Sequence, residues 1–89
     1  MDPVSIVIVD DHPLYRRGVR TALESQPDLR VDAEVGSVAE ALEACGRLDP
    51  DVVVLDINLP DGSGVDAARE LRERQPGVAV LILTAYDDA

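Results

Sequence analysis

Hydrophobic residues are grouped in four short stretches that predict strands. Three of the stretches are almost continuously apolar and rich in β-branched residues, which is typical of parallel strands that are buried on both faces. The fourth alternates polar and apolar residues, which predicts a strand at the edge of a sheet. The continuous stretches are Val4–Val9, 51–55 and 78–83, and the alternating stretch is 30–35.

Helical periodicity fills the three intervals between these strands. The first helix is predicted to begin at Pro13, a favourable residue in a first turn, and to end before Pro27. The second begins with a capping box formed by Ser37 and Glu40, and the third is predicted over residues 64–75. The apolar stripes are Tyr15, Val19, Ala22 and Leu23 in the first helix, Val38, Ala41, Leu42, Cys45 and Leu48 in the second, and, facing inward from the third, Val65, Ala68 and Leu71.

The elements alternate in the order β-α-β-α-β-α-β. Such an alternation requires right-handed crossovers, and it predicts an α/β fold with a parallel sheet and helices on its faces. The 89 residues are enough for one small domain, and they contain no internal repeat, linker or low-complexity segment.

The composition limits the classes of function. Eight basic residues, all of them Arg, stand against eighteen acidic residues, so that the net charge is -10. We expect no direct contact with nucleic acid through this segment, because binding to phosphates needs cationic side chains. Cys45 is the only cysteine, which excludes an intramolecular disulfide. Without a signal-peptide pattern or a long apolar run, we expect a cytoplasmic protein with no membrane partner.

Acidic and hydroxyl side chains stand at the carboxyl ends of three predicted strands. Asp10 and Asp11 follow the first strand, Asp56 follows the apolar run of the third, and Thr84 follows the fourth. The carboxyl ends of parallel strands meet at one edge of the sheet, so the three carboxylates converge if the first and third strands are neighbours. Such carboxylates repel one another, and a hard divalent cation such as Mg²⁺ removes that penalty. One Asp alone would more often be a helix cap or a turn residue, but the combination predicts a site.

Three segments resemble the receiver domain of bacterial two-component response regulators. They are Ile-Val-Asp-Asp-His-Pro-Leu at 8–14, Asp-Val-Val-Val-Leu-Asp-Ile-Asn-Leu-Pro-Asp-Gly-Ser-Gly at 51–64, and Leu-Thr-Ala at 83–85. The first segment and the Leu-Pro-Asp-Gly-Ser-Gly loop most resemble receivers that precede a LuxR/NarL-type helix-turn-helix domain. The resemblance implies a flavodoxin-like (CheY-like) doubly wound parallel sheet, here β1-α1-β2-α2-β3-α3-β4 with strand order 2-1-3-4.

The same resemblance implies a role for each site residue. Asp56 would accept a phosphoryl group from the phosphohistidine of a sensor histidine kinase, and Thr84 would donate its hydroxyl to a phosphoryl oxygen. Asp10 and Asp11 would hold Mg²⁺ together with Asp56 and the main-chain carbonyl of Asn58. The domain would be a signalling module and not an enzyme, and its parent protein would be a DNA-binding transcriptional regulator.

The chain departs from the family pattern after the fourth strand. A complete receiver has five βα units, so residues 1–89 are interpreted as a receiver domain that lacks the fifth. With that unit goes a lysine that pairs with the phosphoryl group, and the chain has no lysine that could replace it. We interpret the chain as a fragment of a longer regulator. The alternative is a natural truncated receiver that acts as a phosphorylation-independent protein-interaction module.

The truncation also predicts self-association. The fourth strand would become an apolar edge, and one sheet face would lose the helix that covers it, which favours a homo-oligomer through either surface. The residues predicted on the uncovered face are Ile6, Ile8, Val52 and Val54, or the alternate residues of the same two strands.

Two other interpretations fit the residues less well. A Mg²⁺-dependent phosphatase with an aspartyl nucleophile would need an Asp-x-Asp pattern at the first strand, and Asp10 and Asp11 are adjacent. His12 could ligate a metal, but Mg²⁺ prefers oxygen. We therefore interpret His12 as a solvated residue at the start of a helix.

Overall fold

Four parallel strands form the centre of the fold in a computed structural model that describes residues 2–83. The order of the strands in the sheet is β2-β1-β3-β6, which confirms the predicted 2-1-3-4 topology and the position of β2 at an edge. A small antiparallel hairpin, β4–β5, lies between β3 and the third helix. The strands are β1 (Val4–Val9), β2 (Leu29–Val35), β3 (Val52–Asp56), β4 (Asn58–Leu59), β5 (Gly62–Ser63) and β6 (Ala79–Leu83).

Among the described residues, three helices cover the two faces of the sheet: α1 (Pro13–Glu24), α2 (Val38–Leu48) and α3 (Gly64–Arg74). Alternate residues of the central strands point to opposite faces, which explains why the strands are apolar without alternation. One set packs with α2 and α3, and the other set packs beneath α1. The first set is Val7, Val9, Val53 and Leu55, and the second set is Ile6, Ile8 and Val54. None of the helices within residues 2–83 has the length and apolar character needed to cross a membrane.

The predicted capping box at the start of α2 is present. The Ser37 hydroxyl accepts a hydrogen bond from the main-chain N–H of Glu40 at 3.1 Å. The Glu40 carboxylate in turn accepts from the N–H of Gly36 at 3.2 Å. One unpaired donor of the first turn, the N–H of Glu40, is thereby satisfied. The N–H of Gly36, just before the N-cap residue, ties the end of β2 to the start of α2.

Val65 does not face inward, so that prediction is wrong. The buried residues of α3 are spaced i, i+3, i+4 and i+7 from Gly64, and Val65 lies beside this stripe with 44% of its surface exposed. Ala68 and Leu71 are buried as predicted. Only the first member of the stripe was misplaced, by one residue, because a glycine has no side chain to show the periodicity. The buried residues are Gly64, Ala67, Ala68 and Leu71.

The predicted uncovered sheet face is also largely covered. Ile6, Ile8 and Val54 are buried, because Val19 and Leu23 of α1 pack against them. Besides Leu14 and Tyr15 of α1 and Val65 of α3, exposed large apolar residues lie on β6, where the described residues show a partner strand on one side only. Its exposed large residues are Leu81, Ile82 and Leu83.

Candidate functional site

The sheet register brings the acidic residues together at one edge. Val9 of β1 pairs with Leu55 of β3, so the next residues, Asp10 and Asp56, leave adjacent strands at the same level. Asp10 is 4% exposed and Asp56 is 6% exposed. One carboxylate oxygen from each of Asp10, Asp11 and Asp56 lies within 4.8 Å of the others. The convergence predicted from the strand ends is therefore present, and we call these three residues the acidic cluster.

His12 lies closer to the acidic cluster than its interpretation as a solvated residue suggested. It precedes α1 as the N-cap residue, and its side chain is 63% exposed. Its Nδ1 atom is nevertheless 3.1 Å from a carboxylate oxygen of Asp10, 3.1 Å from one of Asp11 and 3.7 Å from one of Asp56. The hydrogen bond to Asp10 and the negative charge of Asp11 raise the pKa of His12 above its usual value. The sequence signal for this contact was the adjacency Asp-Asp-His.

The donor set of the acidic cluster fits a hard divalent cation. Three carboxylates within 4.8 Å of one another supply the oxygen ligands that Mg²⁺ prefers. Two of the three are buried, so their repulsion is screened little by solvent and a cation between them is strongly favoured. The exposed third carboxylate, from Asp11, leaves one side open to water and to an incoming group. The residues present therefore fit the predicted Mg²⁺.

The β4–β5 hairpin places its main chain beside Asp56. The N–H of Asn58 donates to the Asp56 carboxylate at 3.4 Å, and the N–H of Gly64 donates to the carbonyl of Ile57 at 2.8 Å. These contacts turn the chain back over the end of β3 and keep Asn58 next to the acidic cluster. Thr84, the predicted hydroxyl donor, lies outside the described residues.

Arg16 supports the acidic cluster from α1, which the sequence did not predict. Its Nη1 donates to the main-chain carbonyl of Asp10 at 2.9 Å, and its Nε donates to the Glu34 carboxylate at 3.1 Å. Arg20 donates to the other oxygen of the Glu34 carboxylate at 2.6 Å. The pKa of Glu34 is lowered, chiefly by the hydrogen bond from Arg20. These contacts join α1, β2 and the end of β1, and no sequence spacing indicates them.

Comparisons with known proteins agree with this geometry. The family model of the response regulator receiver domain matches residues 6–89. The DNA-binding transcriptional activator DevR/DosR of Mycobacterium tuberculosis is 47% identical over 83 residues, which cover 93% of this chain and 38% of that protein. The nitrate/nitrite response regulator NarP of Escherichia coli is 46% identical over 85 residues, which cover 96% of this chain and 40% of that protein. The chain thus spans about two fifths of the length of these relatives.

Solved structures match the fold as well. The signal receiver domain of a NarL response regulator from Mycobacterium tuberculosis superposes with a TM-score of 0.91 at 35% identity, covering 99% of this chain and 71% of that chain. A two-component response regulator of the LuxR family from Aurantimonas superposes with a TM-score of 0.90 at 35% identity, covering 97% of this chain and 61% of that one.

The fold and the acidic cluster are those of a receiver-type signalling module. The chain belongs to the response-regulator receiver family, with relatives in the NarL/LuxR group, as the motif at 8–14 and the loop at 59–64 indicated.

Proposed function

We propose that this chain is a phosphoacceptor domain of a two-component system in which Asp56 accepts a phosphoryl group from a sensor histidine kinase. The observation that supports this most directly is the buried Asp56 carboxylate at the end of β3, with two further carboxylates within 4.8 Å. An Asp56 oxygen attacks the phosphorus of the kinase phosphohistidine, and the P–N bond breaks. The imidazole leaves with the bonding electrons and takes up a proton. The direct test is whether acetyl phosphate labels Asp56.

The residues around Asp56 suit the demands of this transfer, which depends on positioning and on charge stabilisation. Asp10, Asp11, Asp56 and the main-chain carbonyl of Asn58 would hold Mg²⁺. The bound Mg²⁺ would neutralise charge on the phosphoryl oxygens. Arg16 holds the main chain of Asp10 in place, and we propose that Thr84 donates its hydroxyl to a phosphoryl oxygen.

Mg²⁺ is expected to raise the thermal stability of this chain. A ligand that binds only the folded state at ten times its Kd stabilises it by about 1.4 kcal/mol, which shifts the Tm of so small a domain by several degrees. Thermal melts with and without Mg²⁺ measure the shift. Asp11→Asn should reduce it strongly, because a carboxylate ligand is lost.

Asp66→Asn is the matched control for this experiment. It removes the same charge from an exposed position on α3 that is not part of the acidic cluster, and should keep the full shift. Equal shifts in wild type and Asp11→Asn would contradict the proposed metal site.

We propose that the parent protein is a DNA-binding transcriptional regulator that works in the cytoplasm, and that residues 1–89 are its receiver domain without the fifth βα unit. Three observations support this. The relative DevR/DosR is described as a DNA-binding transcriptional activator. This chain covers only 71% of the solved signal receiver domain of NarL from Mycobacterium tuberculosis. The net charge of -10 makes this segment itself unsuited to DNA, so DNA would be bound by another part of the parent protein.

The exposed strand β6 supports a second proposal, self-association of the 89-residue chain. Leu81 is 57% exposed, and Ile82 and Leu83 are also exposed on the same strand. An apolar edge strand is a template for pairing with a second copy. We expect a dimer or larger assembly in size-exclusion chromatography with light scattering.

Variants on β6 and α1 test where the association occurs. Leu81→Lys places a charge on the edge strand and should shift the protein toward the monomer. Leu14→Lys, at an 88% exposed position on α1, should leave the assembly unchanged. A monodisperse wild-type monomer at micromolar concentration would contradict the proposal.

A further inference from the structure

Asp61 joins the β4–β5 hairpin to the start of α2. It occupies the turn between the two strands of the hairpin, and its carboxylate accepts hydrogen bonds from the N–H of Val38 at 2.7 Å and from the N–H of Ala39 at 3.0 Å. These two hydrogen bonds lower the pKa of Asp61, and the bond from Val38 has the largest effect. The carboxylate therefore pairs two of the donors that the first turn of a helix leaves unsatisfied, in a place where negative charge is favoured.

The hairpin itself is packed against α2 on one side and against the acidic cluster on the other. Leu59 is buried in the same core cluster as Ala41 and Cys45 of α2. At the base of the hairpin, the N–H of Asn58 donates to the Asp56 carboxylate. A shift of the hairpin would therefore move Asn58, whose main-chain carbonyl is the proposed Mg²⁺ ligand outside the acidic cluster.

The site is bordered on one side by the β4–β5 hairpin and on the other by the loop that carries Asp10 and Asp11. The segment at the start of α2 also lies beside this loop. Gly36, two residues before α2, is held by its N–H bond to Glu40. A Cβ built on Gly36 would lie 3.2 Å from the Nη1 of Arg16 and 3.8 Å from the Cα of Asp11. The segment that leads into α2 is therefore packed beside the loop that carries Asp10 and Asp11. The segment at the start of α2 thus contacts both the Asp10–Asp11 loop and the hairpin, and Asp61 makes the hydrogen bonds on the hairpin side.

We propose that Asp61 is a positioning residue of the Mg²⁺ site. It fixes the Asn58 hairpin relative to the Asp10–Asp11 loop through the start of α2, although it is not itself a metal ligand. This inference rests on the proposed function, since it assigns a residue that supports the same site. Partners that orient metal ligands in this way typically change metal affinity 10- to 100-fold when they are removed.

Ser37 offers a matched comparison, because it caps the same helix without reaching the hairpin. Its hydroxyl accepts from the N–H of Glu40 within the α2 segment. Loss of either cap should destabilise α2. Only the loss of Asp61 should release the hairpin.

The test is the Mg²⁺ affinity of the folded 89-residue chain, measured by NMR chemical-shift titration at a temperature where every variant is folded. We expect Asp61→Ala to weaken the affinity about tenfold. Asp61→Asn keeps one carbonyl oxygen as an acceptor and should recover part of the affinity. Ser37→Ala should lower the unfolding midpoint and leave the affinity unchanged. Asp66→Asn controls for the loss of one negative charge and should also bind as wild type does.

Three outcomes would overturn the inference. Wild-type affinity in Asp61→Ala would show that Asp61 does not position the site. An equal loss of affinity in Ser37→Ala would show that the stability of α2 alone explains the effect. Failure of the wild-type chain to bind Mg²⁺ would overturn the proposed function first, and this inference with it, so the two failures are distinguishable.

Discussion

Asp56→Asn is expected to abolish labelling of the chain by acetyl phosphate. The amide is a poor nucleophile toward phosphorus. The neighbouring carboxylates of Asp10 and Asp11 would still coordinate the cation and would not replace Asp56 as the nucleophile. Labelling is followed by intact-mass spectrometry, and the modified residue is located by peptide mapping. Asp51→Asn is the control, because Asp51 is an exposed residue at the opposite end of β3, and this variant should be labelled as wild type is.

The labelling of the wild-type chain should itself be slow. The 89 residues include no lysine that could neutralise the transferred group, and loss of one preorganised charge contact costs about 2–4 kcal/mol in a transition state. Labelling of a different residue in Asp56→Asn would overturn the assignment of the phosphoacceptor. Rapid, stoichiometric labelling of the wild type would show that no further cationic partner is needed.

Gly64→Ala is expected to destabilise the fold strongly. A Cβ at this position would overlap the main-chain oxygen of Asp56 and would lie only 2.8 Å from the Cα of Ile57. Both are main-chain atoms, so the overlap can be removed only if the end of β3 or the start of α3 moves. Overpacking of a tight site costs about 1–3 kcal/mol, and we expect a cost at the upper end of this range. The midpoint of denaturant unfolding measures it.

Gly46→Ala is the control for Gly64→Ala. Gly46 lies within α2, and a Cβ built there would meet no atom within 4 Å. Alanine is favoured over glycine in a helix by about 0.5–1 kcal/mol, so this variant should be more stable than wild type. An unchanged unfolding midpoint in Gly64→Ala would show that the close approach of Gly64 to the main chain of Asp56 and Ile57 is not needed to hold the acidic cluster in place. Reduced Mg²⁺ affinity in folded Gly64→Ala would support it.

Local patterns were sufficient to predict the four strands of the parallel sheet, the three helices and their order, but not the short β4–β5 hairpin. Three β-branched apolar stretches and one alternating stretch predicted the four strands of the sheet, and Ser37 with Glu40 predicted the start of α2. These signals act over a few residues, so they do not depend on the rest of the fold. The error at Val65 arose at a helix start, where glycine interrupted the apolar pattern.

The acidic cluster was also predictable, because the carboxyl ends of neighbouring parallel strands must lie at one edge of a sheet. The prediction needed only the assumption that β1 and β3 are neighbours, which their register confirms. The contacts that support the cluster could not be predicted. Arg16 meets the carbonyl of Asp10 because of the way α1 lies across the sheet, and the sequence contains no periodic signal for it.

The sequence by itself therefore determined which acidic residues converge, since the ends of neighbouring parallel strands place Asp10, Asp11 and Asp56 at one edge of the sheet. Only the tertiary structure decided what holds them there. Asp61 reaches the first N–H groups of α2 across 22 and 23 residues of chain, and α1 covers the sheet face that the truncation was predicted to expose. Both results depend on how helices pack against the sheet and on where a hairpin turn falls. Such contacts between residues far apart in sequence leave no local pattern, because side-chain periodicity records which face of an element is buried but not which partner buries it.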